Sequence, residues 1–162
     1  MPKVIGSATC QDSSFESDPW IPFKVTWSVS IEEQPLYARI SGRHGGEVEI
    51  KVDPRDGLLL QAIVIEPPPT DSSWLDFDAL DTLEGVTAVI DLAPWGTKVT
   101  PDYQEPATRV TEYVEDLTLT HSAGVTRLGF SSKPAARVLA AGATRIGVSM
   151  DGSLVAIDIE EG

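Results

Sequence analysis

The chain is poor in cysteine and contains no asparagine. Its 162 residues include one cysteine, Cys10. A single cysteine cannot form an internal disulfide, which favours a reducing compartment. Residues 1–20 also lack the apolar run of a signal peptide. We therefore expect a cytoplasmic protein.

Motifs for metal binding and catalysis are missing as well. The two histidines, His44 and His121, lie far apart in the sequence and far from Cys10, whereas a zinc site needs three or four converging nitrogen or sulfur ligands. The chain has no G-x-S-x-G nucleophile elbow and no glycine-rich phosphate loop. The sequence thus predicts no metal and no cofactor, and it favours a protein that is not an enzyme. A catalytic site assembled from distant carboxylates stays open.

Basic residues are scarce and scattered. The chain has 12 Lys and Arg against 25 Asp and Glu, which gives a formal net charge of -13. Nucleic acids and anionic membranes are usually bound through clustered basic residues, and no apolar run reaches the length of a membrane span. We therefore expect neither nucleic acid nor membrane as a partner. An acidic chain of this kind suits a basic protein partner, a cation, or simply high solubility.

Apolar and polar residues alternate with a period of two in several segments. This pattern predicts half-buried β-strands at residues 23–31, 36–40 and 48–52. The nearly continuous apolar run at residues 58–65 predicts a strand buried on both faces. Four strands in this order predict an antiparallel meander.

The later part of the chain contains further strand patterns, at residues 86–92, 125–130, 144–150 and 153–160. Residues 107–117 are ambiguous: their Thr, Val and Tyr residues suit a strand with a bulge, but the apolar spacing also fits a helix. The sequence therefore predicts a mainly β fold, with antiparallel sheets arranged as a sandwich or an open barrel.

Two short helices are predicted within this β fold. Trp74, Phe77 and Leu80 recur at three-residue spacing, which predicts a helix over about residues 72–83. A second helix is predicted over about residues 134–141, where a proline stands at the start and a glycine follows the end.

The domain organisation follows from composition. Serine, acidic residues and proline dominate the stretch from Gln11 to Pro22, which is typical of a loop or an arm. The sequence therefore predicts an irregular N-terminal arm at residues 1–22. Residues 23–162 are predicted to form a single mostly β domain.

Two segments of the chain resemble each other. Residues 50–66 and 146–160 both contain I-x-V, then D-G-x-L, then I-x-I-E. The similarity is consistent with a duplicated hairpin. It is equally what any two antiparallel hairpins with an Asp-Gly turn would share.

One long stretch is acidic without any basic residue. It lies between Arg55 and Lys98 and contains Trp74 and Phe77, with Trp95 near its end. Apolar anchors inside a charged rim are typical of protein-binding surfaces. The residues predicted to bind a partner are Asp71, Trp74, Asp76, Phe77, Asp78, Asp81, Glu84 and Trp95. The alternative is an amphipathic helix whose apolar side chains pack onto the core.

Three functions are compatible with these features. The first is a non-enzymatic protein-binding domain, such as an inhibitor or a bacterial immunity-type protein, that turns its acidic face to a basic partner. The second is a sugar or cation binder, or a hydrolase, with a site in the mouth of the barrel or sandwich near Trp95 and Tyr103 on the loop of residues 93–106. The third is a structural assembly subunit with the strand of residues 58–65 at its interface.

Overall fold

The computed structural model describes residues 1–71, 76–96 and 109–161. These residues form two six-stranded sheets, one two-stranded sheet and a single 3-10 turn at Ala93–Trp95. The strands, in chain order, are β1 (Val4–Thr9), β2 (Ser13–Glu16), β3 (Lys24–Trp27), β4 (Leu36–Gly42), β5 (Glu47–Val52), β6 (Leu59–Glu66), β7 (Thr82–Glu84), β8 (Val86–Ile90), β9 (Val110–Glu115), β10 (Thr118–Ser122), β11 (Val125–Gly129), β12 (Ala135–Ala141), β13 (Thr144–Ser149) and β14 (Leu154–Glu160). The mainly β fold predicted from the alternating pattern is confirmed.

The first six-stranded sheet has the order β2-β3-β6-β5-β4-β9. Strands β4, β5 and β6 form the predicted antiparallel meander. Strand β3 departs from the prediction, because it pairs with β6 and not with β4. The connection between Trp27 and Leu36 is long enough to pass β6 and β5, which lie between β3 and β4 in the sheet. Strand β9 completes the sheet by pairing with β4 in parallel.

The second six-stranded sheet, of order β10-β11-β14-β13-β12-β7, repeats the arrangement of the first in its five antiparallel strands. In each sheet the second strand of a hairpin pairs with the last strand of a three-stranded meander. A further strand pairs in parallel with the first strand of that meander. The parallel edge strand differs, because β7 precedes the other strands of its sheet in the chain whereas β9 follows those of its sheet. The two similar Asp-Gly hairpins are β5–β6 and β13–β14, which occupy equivalent central positions. Their glycines, Gly57 and Gly152, have left-handed φ angles of 81° and 84°. The similarity therefore extends from one hairpin to the five antiparallel strands of each sheet, which favours the duplication.

The main core lies between the inner faces of the two large sheets. Trp27, Ile40 and Ile50 come from the first sheet, and Ile146 and Ile157 come from the second. All of them belong to one cluster of buried residues. The architecture is therefore consistent with a β-sandwich.

The irregular arm predicted for residues 1–22 is wrong. Strand β1 pairs with β8 in the two-stranded sheet, and β2 pairs with β3 at the edge of the first large sheet. The serines and acids of this region obscure a short alternation of half-buried and exposed residues in β2. Phe15 of this strand packs edge-on against Phe23. Cys10, between the two strands, is 2 % exposed, and its thiol donates to the Asp12 carbonyl at 3.2 Å.

The two predicted helices are also corrected. The region of residues 134–141 contains strand β12, because Val138 and Leu139 are buried and the strand pairs with β13 and β7. Tertiary pairing thus overrides the helical preference of an alanine-rich segment. Within residues 72–83, residues 72–75 lie outside the described part, residues 76–81 form a turn, and β7 follows.

The ambiguous segment is resolved in favour of the strand, since β9 covers Val110–Glu115 while residues 107 and 108 lie outside the described part. No helix in the described part of the chain has the length and apolar character needed to cross a membrane.

Candidate functional site

The described residues of the acidic segment contact the second sheet at two edges and on its outer face. We call residues 69–84 the acidic strap; its residues 72–75 lie outside the described part. At one edge, the Leu119 amide of β10 donates to the Pro69 carbonyl at 3.0 Å. At the other edge, the Val138 amide of β12 donates to the Asp81 carbonyl at 2.9 Å, and β7 then pairs with β12.

An aromatic side chain attaches the strap to the sheet. Phe77 is 1 % exposed, and the guanidinium carbon of Arg127 lies 4.0 Å from the centroid of its ring. Gly147 of β13 provides the space, because a Cβ atom at that position would be 2.5 Å from the ring's Cζ. The ring thus combines a cation–π contact with a close fit over a glycine.

A network of charged side chains attaches the strap a second time. Arg127 donates to Asp158 through Nε at 2.6 Å and through Nη2 at 2.7 Å. Arg145 donates from Nη1 to Asp78 of the strap at 2.6 Å, and its Nη2 lies 3.6 Å from Asp158. Because Asp158 is fully buried, these two guanidinium groups supply the compensating charge that a buried carboxylate requires.

The carboxylates of Asp78, Asp158 and Glu160 act on the Arg145 guanidinium. Burial alone would lower the pKa of Arg145, but the hydrogen bond to Asp78 and the nearby negative charges raise it above its ordinary value. Arg145 therefore keeps its charge, and the strap's Asp78 is neutralised by an ion pair within the chain.

The structure divides the predicted partner-binding residues into two groups. Exposed carboxylates belong to Asp71, Asp76, Asp78, Asp81 and Glu84. The predicted aromatic anchors are not on this surface: Phe77 is buried as described, and Trp95 is 2 % exposed, with its Nε1 donating to the Tyr37 carbonyl at 2.9 Å. Trp74 lies outside the described residues. Phe77 and Trp95 thus pack into the interior. The alternative interpretation agrees with the burial of Phe77, but the amphipathic helix that it assumed is absent from residues 76–83.

Three carboxylates of the strap have no neutralising partner among the described residues. Asp76, Asp81 and Glu84 form no ion pair with any residue that the structure describes. Asp76 accepts one hydrogen bond, from the Asp78 amide at 2.8 Å. Between Asp81 and Glu84 lies Leu83, whose side chain is 53 % exposed. The strap therefore presents negative charge around an exposed leucine.

Sequence reasoning missed Leu83 and the ion-pair network beneath the strap. Strand β7 has three residues, too few to show a period. A signal for the network was present at Asp158, a lone acid between two buried isoleucines of β14. An acid in such a strand indicates a buried partner, but the sequence does not say which arginine supplies it.

A small cavity lies beside the strap. Its volume is about 100 Å³, and Asp71, Phe77, Thr120, Arg127 and Ser131 are among its lining residues. Sites for organic ligands usually measure about 300–1,000 Å³, so this space suits water molecules or a small ion better than a sugar.

Two other features predicted for a small-molecule site are the loop of residues 93–106 and a group of metal ligands. Of the loop residues predicted for such a site, Trp95 is buried and Tyr103 lies outside the described part. Among the described residues, no three His, Cys, Asp or Glu side chains converge as metal ligands would.

Comparison with known proteins gives no family for this chain. No protein-family model matches the sequence, and neither does any curated protein. The function is therefore inferred from the chemistry of the residues themselves.

Proposed function

We propose that this protein is a non-enzymatic binding module that presents the acidic strap to a basic protein partner. The observation that supports this function is the set of three exposed carboxylates, on Asp76, Asp81 and Glu84, without an ion pair in the described part of the chain. Such groups are available to lysine and arginine side chains of a partner. Leu83, 53 % exposed, offers an apolar contact among them.

The attachment of the strap makes this surface suitable for recognition. Asp76 is directly followed by Phe77, which is buried over Gly147, and by Asp78, which is held by Arg145. The Asp81 carbonyl and the strand that carries Glu84 are bound to β12. The exposed charges therefore occupy fixed positions before a partner arrives. A preorganised surface loses little conformational entropy on binding. Negative charge concentrated on one segment also accelerates the encounter with a positively charged protein.

Inhibition of a basic protein, including an immunity-type role against a basic toxin, is the version of this function that the charge favours. The strap could cover a basic active site or nucleic-acid site by charge complementarity alone. A reducing, cytoplasmic setting belongs to the same proposal, because the chain has a single cysteine, Cys10, and that cysteine is buried.

The assembly-subunit alternative receives less support. Strand β6, which covers most of residues 58–65, lies between β3 and β5, so both of its edges are already paired. Leu59 and Leu60 belong to the buried residues, whereas Ile65 is 48 % exposed. Little of this strand is left for contact with another subunit.

The test compares two charge-reversed variants of the full chain as baits in an extract of the native source. One carries Asp81→Lys and Glu84→Lys in the strap. The control carries Glu33→Lys and Glu112→Lys, which change the net charge equally at exposed positions outside the strap. We expect wild type and control to retain the same basic protein, identified by mass spectrometry, and the strap variant to lose it. Equal retention by both variants would contradict the proposal.

A further inference from the structure

The most exposed aromatic side chain of the described residues lies at the tip of the β2–β3 hairpin. Trp20 is 87 % exposed. Its loop is nevertheless ordered by hydrogen bonds: Asp18 Oδ1 accepts from the Trp20 amide at 2.8 Å and from the Ile21 amide at 2.7 Å. The Asp18 amide donates to the Ile21 carbonyl at 2.9 Å. The indole is thus presented to solvent on a preformed tip.

Folding gives no account of this exposure. An indole contributes to stability mainly when its large apolar surface is buried, as it is for Trp27 and Trp95, each 2 % exposed. Trp20 leaves nearly all of that surface in water. Because tryptophan is enriched among binding hot spots, an exposed one on an ordered loop indicates a contact with another molecule.

A pair of like charges lies at the same end of the first sheet. Glu47 of β5 and Glu66 of β6 are direct cross-strand partners, and neither forms an ion pair with a described residue. Like charges directly opposite each other destabilise a sheet. The Val64 amide donates to the Phe23 carbonyl at 2.9 Å, so the hairpin tip before Phe23 and the end of β6 at Glu66 extend in the same direction.

From these observations we infer that this end of the first sheet binds a lysine- or arginine-rich polypeptide segment. A basic side chain stacks on the Trp20 indole, the aromatic ring that gives the strongest cation–π contacts. Neighbouring basic side chains of the segment pair with Glu47 and Glu66 and relieve their repulsion. This site rests on the proposed protein-binding function, but it lies on a different surface from the acidic strap.

The test uses random peptides displayed on phage and selected against the full chain. We expect the enriched peptides to carry an excess of Lys and Arg. Their affinity for the purified protein is then measured by calorimetry. We expect Trp20→Ala to weaken binding by about 30-fold or more, the loss that defines a hot spot, and Glu66→Gln to weaken it further.

Two controls keep this test specific. Met150→Ala removes another large apolar side chain, 93 % exposed at the β13–β14 turn, and should leave the affinity unchanged. Thermal unfolding of Trp20→Ala should match that of wild type, because the indole makes little contact with the core.

The outcomes separate this site from the strap. The hairpin site is supported if Trp20→Ala weakens peptide binding while the Asp81→Lys, Glu84→Lys variant binds as wild type does. This conclusion does not depend on whether the strap binds a partner of its own. The reverse pattern supports the strap and overturns the hairpin site. Enrichment of peptides without basic residues, or of none at all, also overturns it.

Discussion

Two tryptophans in the core differ in the state of their indole nitrogen. The Nε1 atom of Trp95 donates to the Tyr37 carbonyl at 2.9 Å. The Nε1 atom of Trp27 is buried and has no hydrogen-bond partner among the described residues. A buried donor without a partner costs free energy, so Trp27 contributes to stability through packing alone.

Replacing each tryptophan by phenylalanine isolates that hydrogen bond. Both substitutions remove a similar volume from the core, but Trp95→Phe also removes the hydrogen bond from Nε1 to the Tyr37 carbonyl. We expect Trp95→Phe to lower the free energy of unfolding by about 1–3 kcal/mol more than Trp27→Phe does. Urea unfolding followed by circular dichroism measures both values. Equal losses would show that the hydrogen bond adds nothing.

A single aspartate organises the β13–β14 turn. Asp151 Oδ2 lies 2.7 Å from Lys133 Nζ and 3.5 Å from Lys3 Nζ. Its Oδ1 accepts from the Ser149 hydroxyl and from the Ser153 amide. The hydrogen bond from Lys133, followed by those from Ser149 and Ser153, holds the pKa of Asp151 well below its ordinary value.

This lowered pKa predicts a pH dependence of stability. The ionised carboxylate of Asp151 stabilises the fold above the ordinary aspartate pKa of about 3.9, and its contribution decreases as the pH falls below that value. We expect wild type to melt above Asp151→Asn near neutral pH, and the gap to narrow on acidification to about pH 3. Melting curves across this range measure the gap. A gap independent of pH would contradict the assignment.

At the scale of elements, the strap depends on a single glycine of β13. Gly147 does not have a left-handed φ angle, so its requirement is one of space. Alanine there would place its Cβ 2.5 Å from Phe77 Cζ, closer than such atoms approach. Phe77 would have to leave its position over Arg127, and the strap would move with it.

We therefore expect Gly147→Ala to lower the free energy of unfolding by about 1–3 kcal/mol and to accelerate hydrogen exchange in residues 76–81. Adding Phe77→Leu, which replaces the ring by a shorter side chain, should recover part of the lost free energy of unfolding. The matched control is Gly6→Ala in β1, where the new Cβ would lie an ordinary 3.9 Å from Val89. If both glycine substitutions cost the same, Phe77 does not depend on the space at Gly147.

Local patterns predict some of these elements and not others. Strands β4 and β5 alternate regularly and were predicted within two residues at each end. The sequence predicts a helix where β12 lies, because alanine and leucine favour helices. Pairing with Thr82–Glu84 and Thr144–Ser149 makes the segment a strand. Strand β2 has four residues beside an acidic, proline-containing loop, so its alternation is too short to recognise.

At the scale of the whole molecule, strand order and the burial of aromatic residues depend on contacts between distant segments. The exposure of the acids from Asp71 to Glu84 follows from their charge and was predictable. The burial of Phe77 depends on Gly147 and Arg127, and that of Trp95 depends on Tyr37. No local pattern near either aromatic residue contains that information. The sequence therefore leaves Phe77 open between a surface anchor and a core residue, and it predicts a partner-binding position for Trp95.

The acidity of the molecule has a consequence for stability. A net charge of -13 on a chain of this size makes the folded state repel itself. Most of its ion pairs involve exposed side chains, and such pairs contribute only about 0–1 kcal/mol each. Repulsion should therefore outweigh attraction among the surface charges.

Moderate salt should for this reason stabilise the protein. Raising the ionic strength from about 0.01 M to about 0.15 M shortens the screening length from about 30 Å to about 8 Å, which weakens the distributed repulsion more than short contacts such as the 2.6 Å pair of Arg127 and Asp158. We expect the urea midpoint to rise over this range. A variant with Glu33→Gln and Glu112→Gln, which removes two exposed charges without breaking an ion pair among the described residues, should start higher and gain less. A midpoint that falls with salt would mean that the surface ion pairs, and not the net charge, dominate the electrostatic part of stability.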